Sequence, residues 1–342
     1  MSIGIHATFG PACATDAILR EVLLAGTDTI RLNLSHLQAH DLPGTVQRIR
    51  AVSRDIRKDV EIACDIRGRK LRLGPFKTDQ INLTEGQTFY LYGVVEGQEL
   101  PGDETGAWVN HPLLSARVRE GTEILIDDGA IRLVVSNVET HRISCRVVGG
   151  GPLPARSGLN IPGLPSDLPP IGCKDITDLD ALSRLDVGAV YLSYVETAED
   201  IESLREQLRQ RHKSIPIIAK IERRVALDHL DAIAASADAI CLARGDLGVE
   251  IPLCDIPFVQ KRVLARTHSA KKPFILAGEV LYSLVTRQIP ARAELTDIAT
   301  ALEQGVDGFI LSDETAVGIA PAMAVRTLVS LIAGMTPHLR EC

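Results

Sequence analysis

Residues 216–250 read PIIAKIERRVALDHLDAIAASADAICLARGDLGVE, and they contain two short apolar runs that each lead into charged residues. The runs 216–221 and 239–243 lack the polar alternation of a half-exposed strand, which is typical of strands buried on both faces. A stretch with helical spacing lies between them. This strand–helix–strand pattern predicts a parallel α/β fold, with polar residues gathered where the strands end.

The same pattern repeats along most of the chain. Apolar runs that fit buried strands occur at 4–8, 29–34, 61–65, 189–195, 216–221, 239–243, 273–277 and 308–311. Helical spacing fills most of the intervals between them, as at 16–24, 178–185, 197–208 and 256–266. Eight such runs separated by helices predict an α/β protein with a (β/α)8 TIM barrel.

One long interval, between Asp65 and the helix near Asp178, has a different character. Its β-rich pieces at 88–92, 123–126, 131–135 and 143–148 are separated by Gly, Pro, Asp and Asn. This predicts an inserted small all-β lid domain after strand three, with its exit at 149–152. We therefore expect a barrel catalytic domain at 1–72 and 156–342, and an inserted β-barrel lid domain at 73–155.

Composition narrows the class of protein. The 342 residues include 37 Lys and Arg against 44 Asp and Glu, a net charge of −7, which argues against a nucleic-acid partner. Hydrophobic residues make up 45% and charged residues 24%, as in ordinary globular proteins. No secretory signal or apolar run of membrane length is visible, and the seven scattered Cys favour reduced thiols. We expect a cytoplasmic protein without a membrane partner.

Polar side chains follow six of the strand-like runs, at the edge where barrel enzymes place their chemistry. Glu222 and Asp246 end neighbouring runs and can share one Mg²⁺, while Lys220 and Arg31 can neutralise a phosphoryl group. Taken alone, a Lys and a Glu two residues apart on a strand are more often an ordinary surface pair than part of a binding site. An isolated Arg-Gly-Asp sequence is likewise usually just a turn. Their coincidence with polar residues at the other strand ends favours a phosphate and metal site.

These residues resemble those of the pyruvate kinase family, in order along nearly the whole chain. The similar segments are TFGPA at 8–12, RLNLSH at 31–36, DIRG at 65–68, ILIDDGAI at 124–131, GLNIPG at 158–163, KIE at 220–222, ARGDLGVE at 243–250, RAE at 292–294 and LSDETA at 311–316. Together they are far more specific than any one of them.

The resemblance implies roles for particular residues. Arg31 and Lys220 would be catalytic and contact the phosphoryl group of phosphoenolpyruvate, whose binding site would comprise Arg31, Ser193, Lys220, Ala243, Arg244, Gly245, Asp246 and Gly278. Glu222 and Asp246 would bind Mg²⁺ or Mn²⁺. The family's monovalent-cation site would map to Asn33, Ser35, Asp65 and Ile66. The nucleotide would contact Pro11, His36, Arg72 and Arg156, beneath the lid.

Two departures from the family pattern concern regulation and cations. The family continues beyond the helix expected at 321–332 into a C-terminal effector-binding domain, so we expect none of that regulation here. Lys70 stands where potassium-dependent members have Glu. A tethered ammonium can replace a bound monovalent cation beside a phosphate, so we expect that K⁺ is not required. The alternative is that Lys70 is merely a solvated charge at the lid hinge.

Other departures concern the enolate and the phosphoryl acceptor. Gly278 replaces a Thr whose hydroxyl is implicated in enolate protonation, and Glu279 adds a negative charge beside it. Ser157 replaces a Lys that touches nucleotide phosphates, although Arg156 could substitute for it. Glu196 replaces a basic residue after strand four.

Three hypotheses therefore stay open. The first is a compact pyruvate kinase that transfers the phosphoryl group from phosphoenolpyruvate to ADP and works as a homo-oligomer, the last by analogy only. The second is a phosphoenolpyruvate or pyruvate-enolate enzyme with another small-molecule acceptor or carbon-bond chemistry. The third is a sensor without turnover, against which the intact set of Lys220, Glu222 and Asp246 counts.

Overall fold

The computed structural model describes residues 3–95 and 97–340. Its strands, in chain order, are β1 (Gly4–Thr8), β2 (Thr29–Asn33), β3 (Glu61–Ile66), β4 (Leu71–Arg72), β5 (Gln80–Leu83), β6 (Thr88–Gly93), β7 (Gly106–Val109), β8 (Glu123–Ile126), β9 (Ile131–Val138), β10 (Ile143–Gly149), β11 (Gly151–Pro154), β12 (Gly158–Asn160), β13 (Ala189–Leu192), β14 (Ile217–Ile221), β15 (Ala239–Ala243), β16 (Phe274–Ala277) and β17 (Gly308–Leu311). Its helices are α1 (Asp16–Leu24), α2 (Leu42–Asp55), α3 (Leu114–Arg117), α4 (Cys173–Leu182), α5 (Ala198–Gln210), α6 (Leu230–Ser236), α7 (Arg244–Glu250), α8 (Ile256–Ser269), α9 (Arg292–Gln304), α10 (Asp313–Ala316) and α11 (Pro321–Met335).

Eight of the described strands close into a barrel in the order β1-β17-β16-β15-β14-β13-β3-β2. Every neighbouring pair is parallel. Strands β14 and β15 are buried along their whole length, because one face lines the barrel interior and the other packs against helices. The predicted (β/α)8 barrel is confirmed, and all eight strand-like runs contribute to it.

The barrel interior and the helix layer have separate apolar cores. The interior is filled mostly by small side chains, such as Ala63 and Cys241. Larger side chains, among them Tyr191, Ile218 and Ile310, fill the rest. Helices pack outside through a much larger set of buried residues. Helix starts are set locally: the Thr15 hydroxyl accepts a hydrogen bond from Ile18 N and caps α1, and Pro321 opens α11.

The segment between β3 and α4 forms its own sheet. Among the described residues it contains a seven-stranded sheet in the order β4-β12-β8-β9-β10-β6-β7 and a separate pair, β11-β5. An antiparallel bridge between Leu73, next to β4, and Val109 of β7 links the two edge strands of the larger sheet. A distinct apolar core holds these strands together. The chain leaves and returns through β4 and β12, which pair antiparallel with Arg72 opposite Gly158. Strand pairing thus extends past the expected exit at 149–152.

One sequence run is longer than its strand, and this difference matters for the site. Strand β13 ends at Leu192, and the next residues turn away from the barrel with Tyr194 at φ +57°. Apolar side chains in this turn are buried by tertiary packing, so apolarity alone extended the expected strand to residue 195. The cysteines that the structure describes are free, and Cys342 lies outside the described residues. No helix in the described ranges is both long and apolar enough to span a bilayer.

Candidate active site

A cavity of about 280 Å³ opens at the carboxyl ends of the barrel strands. It collects residues from five barrel strands or the loops after them, together with one residue of the inserted sheet, Asp128. Its lining consists of Arg31, Asp128, Lys220, Glu222, Ala243, Gly245, Asp246, Ala277, Gly278, Glu279, Tyr282, Ile310, Ser312, Asp313 and Glu314. The structure therefore brings together the two predicted divalent-metal ligands, the two predicted catalytic cations and six of the eight predicted substrate contacts.

Arg31 and Lys220 are held in place by one buried carboxylate, Asp65. Arg31 Nε donates to Asp65 Oδ2 at 2.8 Å, and Arg31 Nη1 donates to Thr8 Oγ1 at 2.9 Å. Lys220 Nζ lies 3.2 Å from the same Asp65 oxygen. Burial alone would raise the pKa of Asp65, but Lys220 and Arg31 more than offset this and lower it. Asp65 is thus ionised and fixes both cations at the cavity wall.

Lys220 is charged despite its burial. Desolvation acts to lower the pKa of this ammonium, but Asp65 and Glu222 more than offset it and hold the pKa above its ordinary value. Its Nζ lies 2.8 Å from Glu222 Oε1 and donates to Ser193 Oγ at 2.9 Å. Ser193 in turn donates to Asp65 Oδ1 at 2.9 Å. Ser193 is absent from the described cavity lining, so it acts here by fixing Lys220 and Asp65 and not by facing the cavity.

Glu222 and Asp246 provide hard oxygen ligands on neighbouring strands. Glu222 is fully buried, and desolvation raises its pKa, partly opposed by Lys220. Burial alone would raise the pKa of Asp246, but the positive charges of Lys70 and Lys220 outweigh this and lower it. No cluster of three or more His, Cys, Asp or Glu side chains among the described residues is arranged as a metal cage. Mg²⁺ does not need one, since it commonly takes one or two carboxylates plus substrate oxygens.

The residues present fit such a cation. Glu222 Oε1 is buried, and the Lys220 ammonium lies 2.8 Å from it and balances its charge. Glu222 and Asp246 lie at the ends of neighbouring strands and both line the cavity. Two adjacent carboxylates that face one cavity are a donor set suited to Mg²⁺ or Mn²⁺.

Lys70 precedes β4 of the inserted sheet and reaches the metal site. Its Nζ lies 2.8 Å from Asp246 Oδ1 and 5.3 Å from the centre of the Tyr194 ring. The side chain passes directly over Gly158, where a Cβ would lie 2.5 Å from Lys70 Cε. Glycine at 158 therefore makes room for this lysine, and Lys70 is not a solvated hinge charge.

The predicted monovalent-cation residues lie at or just after the ends of β2 and β3. Asn33 Oδ1 accepts a hydrogen bond from Ser35 N at 3.1 Å, and Ile66 is fully buried at the end of β3. The Asp65 carboxylate is already neutralised by Arg31 and Lys220.

Gly278 is forced to be glycine by its backbone. It has φ +90°, and a Cβ there would lie 2.8 Å from Gly245 N and 3.0 Å from Arg244 N. The close approach is useful locally, because the Arg244 guanidinium donates to the Gly278 carbonyl at 2.7 Å. The other side of this guanidinium pairs with Asp297 at 2.7 Å. The Arg244 side chain is thus directed away from the cavity, and only the backbone of this predicted substrate contact lies near the site.

Residues predicted to contact the nucleotide lie around the mouth of the cavity. Arg72 Nη1 lies 3.4 Å from the Arg156 carbonyl oxygen, so these two are neighbours. His36 is exposed, and its pKa is lowered first by partial desolvation and then by the positive charges of Arg72 and Arg31. Pro11 is exposed at the start of a short 3₁₀ turn that packs beside α10.

Two of the substituted positions have acquired other partners. Ser157 is buried and donates to Asp127 Oδ1 at 3.1 Å, on the turn that carries Asp128. Glu196 is buried between Arg69 and Arg223, at 3.6 Å and 3.3 Å. The charge of Glu196 is therefore balanced within an ion network.

Sequence reasoning missed two residues of the site, Tyr194 and Asp128. Tyr194 Oη donates to Asp246 Oδ1 at 2.5 Å. Asp128 lines the cavity from a turn with positive φ at Asp127 and Asp128. A signal existed for Asp128, since an Asp-Asp-Gly sequence is typical of a tight hairpin turn. Nothing in the sequence pattern pairs Tyr194 with Asp246.

Comparisons with known proteins agree with this geometry. Residues 2–325 match the family model described as pyruvate kinase, barrel domain. A pyruvate kinase of Mycobacterium tuberculosis (strain CDC 1551 / Oshkosh) is 37% identical over 329 residues, covering 96% of this chain and 69% of the relative. One of Thermococcus litoralis is 35% identical over 337 residues, covering 98% and 70%. A crystal structure of a pyruvate kinase from Cryptosporidium parvum has a TM-score of 0.89 and 31% identity, and the match covers 98% of this chain and 69% of that one. The chain belongs to the pyruvate kinase family.

Proposed function

We propose that this protein transfers the phosphoryl group of phosphoenolpyruvate to ADP, giving pyruvate and ATP, in the presence of Mg²⁺ or Mn²⁺. The observation that carries the proposal is the cavity in which Arg31 and Lys220 face the carboxylates of Glu222 and Asp246. Family membership supports the same reaction. Phosphoryl transfer depends mainly on positioning and on neutralising charge, and this cavity supplies groups for both.

Glu222 and Asp246 would hold the divalent cation. When bound, that cation would supply positive charge that neutralises oxygens of the substrate. Arg31 would contact the transferring phosphoryl group, and its bonds to Asp65 and Thr8 fix the guanidinium before substrate arrives. Such prior orientation avoids reorganisation during the reaction.

Lys220 would stabilise two charges in turn. Its ammonium contacts the phosphoryl group at first, and it then faces the enolate oxygen left when the P–O bond breaks. Its raised pKa keeps it protonated throughout. The backbone N–H groups of Gly245 and Asp246, at the start of α7, would bind the substrate carboxylate, with Ala243 and Gly278 beside them in the cavity wall.

The acceptor would lie between the barrel and the inserted sheet. Arg72 and Arg156 bring positive charge to the mouth, where His36 and Pro11 are also exposed. Asp128 contributes to the cavity from the inserted sheet, which supports a role for that sheet as a lid. Excluding water matters here because water competes with the acceptor for the phosphoryl group.

We further propose that Lys70 replaces the monovalent cation. Its ammonium already lies beside Asp246, at the edge of the site. Activity in a buffer with only Tris or Na⁺ is therefore expected to match activity with added K⁺. In Lys70→Glu the tethered charge is lost, and K⁺ should now stimulate turnover severalfold. A wild-type enzyme that needs K⁺ would contradict the proposal.

A second candidate function keeps the phosphoenolpyruvate site but uses another acceptor. Two observations favour it: Gly278 carries no hydroxyl to protonate the enolate, and Glu279 and Asp313 add carboxylates to the cavity wall.

Ser312 also lines the cavity and is a candidate to deliver the proton to the enolate in the first candidate function.

³¹P NMR of the protein with Mg²⁺, phosphoenolpyruvate and ADP, without potassium, separates the candidates. We expect ATP resonances to grow as phosphoenolpyruvate disappears. Release of inorganic phosphate with ADP unchanged would favour the second candidate. No change in either substrate would contradict both.

The family assignment also suggests a homo-oligomer. Leu253, Phe258 and Ile289 are about three-quarters exposed, and burial of such apolar side chains would favour association of two chains. Sedimentation velocity at micromolar concentration is the test, and a species with the mass of one 37.0 kDa chain would contradict an oligomer.

A further inference from the structure

Tyr194 lies directly after strand β13, between the two carboxylates of the metal site. Its backbone N–H donates to Glu222 Oε2 at 2.7 Å, and its phenol Oη donates to Asp246 Oδ1 at 2.5 Å. A single residue thus contacts both carboxylates through two different groups. Neither contact involves the cavity itself, because Tyr194 is absent from its described lining.

Lys70 completes this arrangement from the inserted sheet. Its Nζ contacts the same oxygen, Asp246 Oδ1, at 2.8 Å and lies 5.3 Å from the centre of the Tyr194 ring. Both donors use Oδ1, which leaves Oδ2 free of these two contacts. The ring also supports the ammonium through a cation–π interaction.

The Tyr194 backbone is held firmly in an unusual conformation. Its φ of +57° lies in the left-handed region, which bulky residues rarely adopt. Its side chain is nevertheless buried, with only 4% exposed. Conformations of this kind persist where surrounding contacts fix them, and they concentrate at functional sites. The contacts to Glu222 and Asp246 are two such constraints.

We propose that Tyr194 is a positioning residue of the metal site, whose N–H fixes Glu222 and whose phenol fixes Asp246 so that the two carboxylates converge on one divalent cation. This inference rests on the metal site assigned under the proposed function. Partners that orient metal ligands typically change metal affinity by 10–100-fold when they are removed. Tyr194 would do this without touching metal or substrate.

Tyr194→Phe tests the phenol alone. It retains the ring beneath Lys70 and the backbone N–H to Glu222, and it removes only the bond to Asp246. We expect the Mn²⁺ dissociation constant, measured by EPR of free Mn²⁺ without substrates, to rise by about tenfold. In assays of phosphoryl transfer, half-maximal activity should need correspondingly more Mg²⁺, with most of kcat recovered at saturating Mg²⁺.

Tyr191→Phe is the matched control. Tyr191 is a fully buried tyrosine on β13, the strand that precedes Tyr194, and its Oη lies 3.0 Å from His6 Nδ1. It loses one phenol hydrogen bond, as Tyr194→Phe does, but should bind Mn²⁺ as the wild type does. Urea unfolding of each protein establishes that it is folded at the temperature of the titration.

Glu222→Gln separates failure of this inference from failure of the metal site. If wild-type Mn²⁺ binding survives in Glu222→Gln, the assigned metal site is wrong and the role of Tyr194 falls with it. If Glu222→Gln abolishes binding but Tyr194→Phe binds as tightly as Tyr191→Phe, the metal site stands and the role of Tyr194 is refuted. Weaker binding in Tyr194→Phe alone supports it.

Discussion

At the scale of single residues, the site contains buried charges of opposite sign, and each offsets the desolvation cost of its neighbours. Lys220 is 8% exposed and contacts both Asp65 and Glu222, so its ammonium balances two carboxylates that have almost no access to water. Removing one member of such a group leaves the others uncompensated, which is more damaging than the loss of any single contact.

Lys220→Ala is expected to lower kcat for phosphoryl transfer by at least about 10³-fold, since a fixed positive charge is lost where negative charge develops. We also expect the free energy of unfolding to fall by about 3 kcal/mol because Glu222 is left unpaired, with the barrel still folded. Coupled assays of pyruvate formation and urea unfolding measure the two effects.

The control for this substitution is Lys261→Ala, which changes an exposed lysine of α8 and should alter neither quantity. Near-normal turnover in Lys220→Ala would show that the site has been assigned to the wrong residues.

At the scale of elements, the turn after β16 is fitted to the start of α7. Gly278 approaches the backbone N–H groups of Arg244 and Gly245 so closely that a side chain has no space. The backbone conformation at position 278 thus leaves no room for the Thr of the family. The substitution involves the backbone as well as the loss of a hydroxyl group.

Gly278→Thr, which introduces the family's residue, is expected to destabilise the protein by about 2 kcal/mol and to weaken substrate binding rather than restore it. The strain of a left-handed Thr adds to the 2.8 Å approach to Gly245 N. Urea unfolding and phosphoenolpyruvate binding by calorimetry are the measurements.

Gly44→Ala offers the opposite case, since Gly44 lies in α2 with open space where a Cβ would be placed. It should stabilise the protein by about 0.5–1 kcal/mol. Equal effects of the two substitutions would argue against the backbone explanation for Gly278.

At the scale of the whole molecule, the barrel and the inserted sheet each have their own apolar core. They are joined where β4 and β12 run side by side, and by Lys70, which crosses to Asp246. We propose that residues 73–155 form a separable lid whose removal leaves a folded barrel.

Replacing residues 73–155 by a short Gly-Ser linker is expected to preserve cooperative unfolding of the barrel, because Arg72 and Gly158 are already opposite each other. Mn²⁺ binding at Glu222 and Asp246 should persist. ATP formation should be lost, since the cavity loses Asp128 and its shield from water. Calorimetry, Mn²⁺ EPR and ³¹P NMR report these properties, and an unfolded barrel would show that the two regions fold only together.

The fold class and most of the polar residues at the barrel mouth could be predicted from the amino-acid sequence alone. Eight apolar runs in alternation with helices were enough, because a strand buried on both faces must be apolar and a parallel pair needs a crossover. The same logic brings Arg31, Lys220, Glu222 and Asp246 together, since the carboxyl ends of parallel strands meet at one edge.

Tertiary contacts, in contrast, set which of those residues face the cavity and which hold the others in place. Ser193 and the Arg244 side chain turn to Asp65 and Asp297, Glu196 joins a buried ion network, and Tyr194 contacts Asp246 across 52 positions of sequence. Side-chain direction after a strand depends on the backbone angles of the loop and on partners that are distant in sequence. The periodicity of apolar residues in the sequence predicts which residues are buried. Their hydrogen-bond partners depend on how the loops pack against one another.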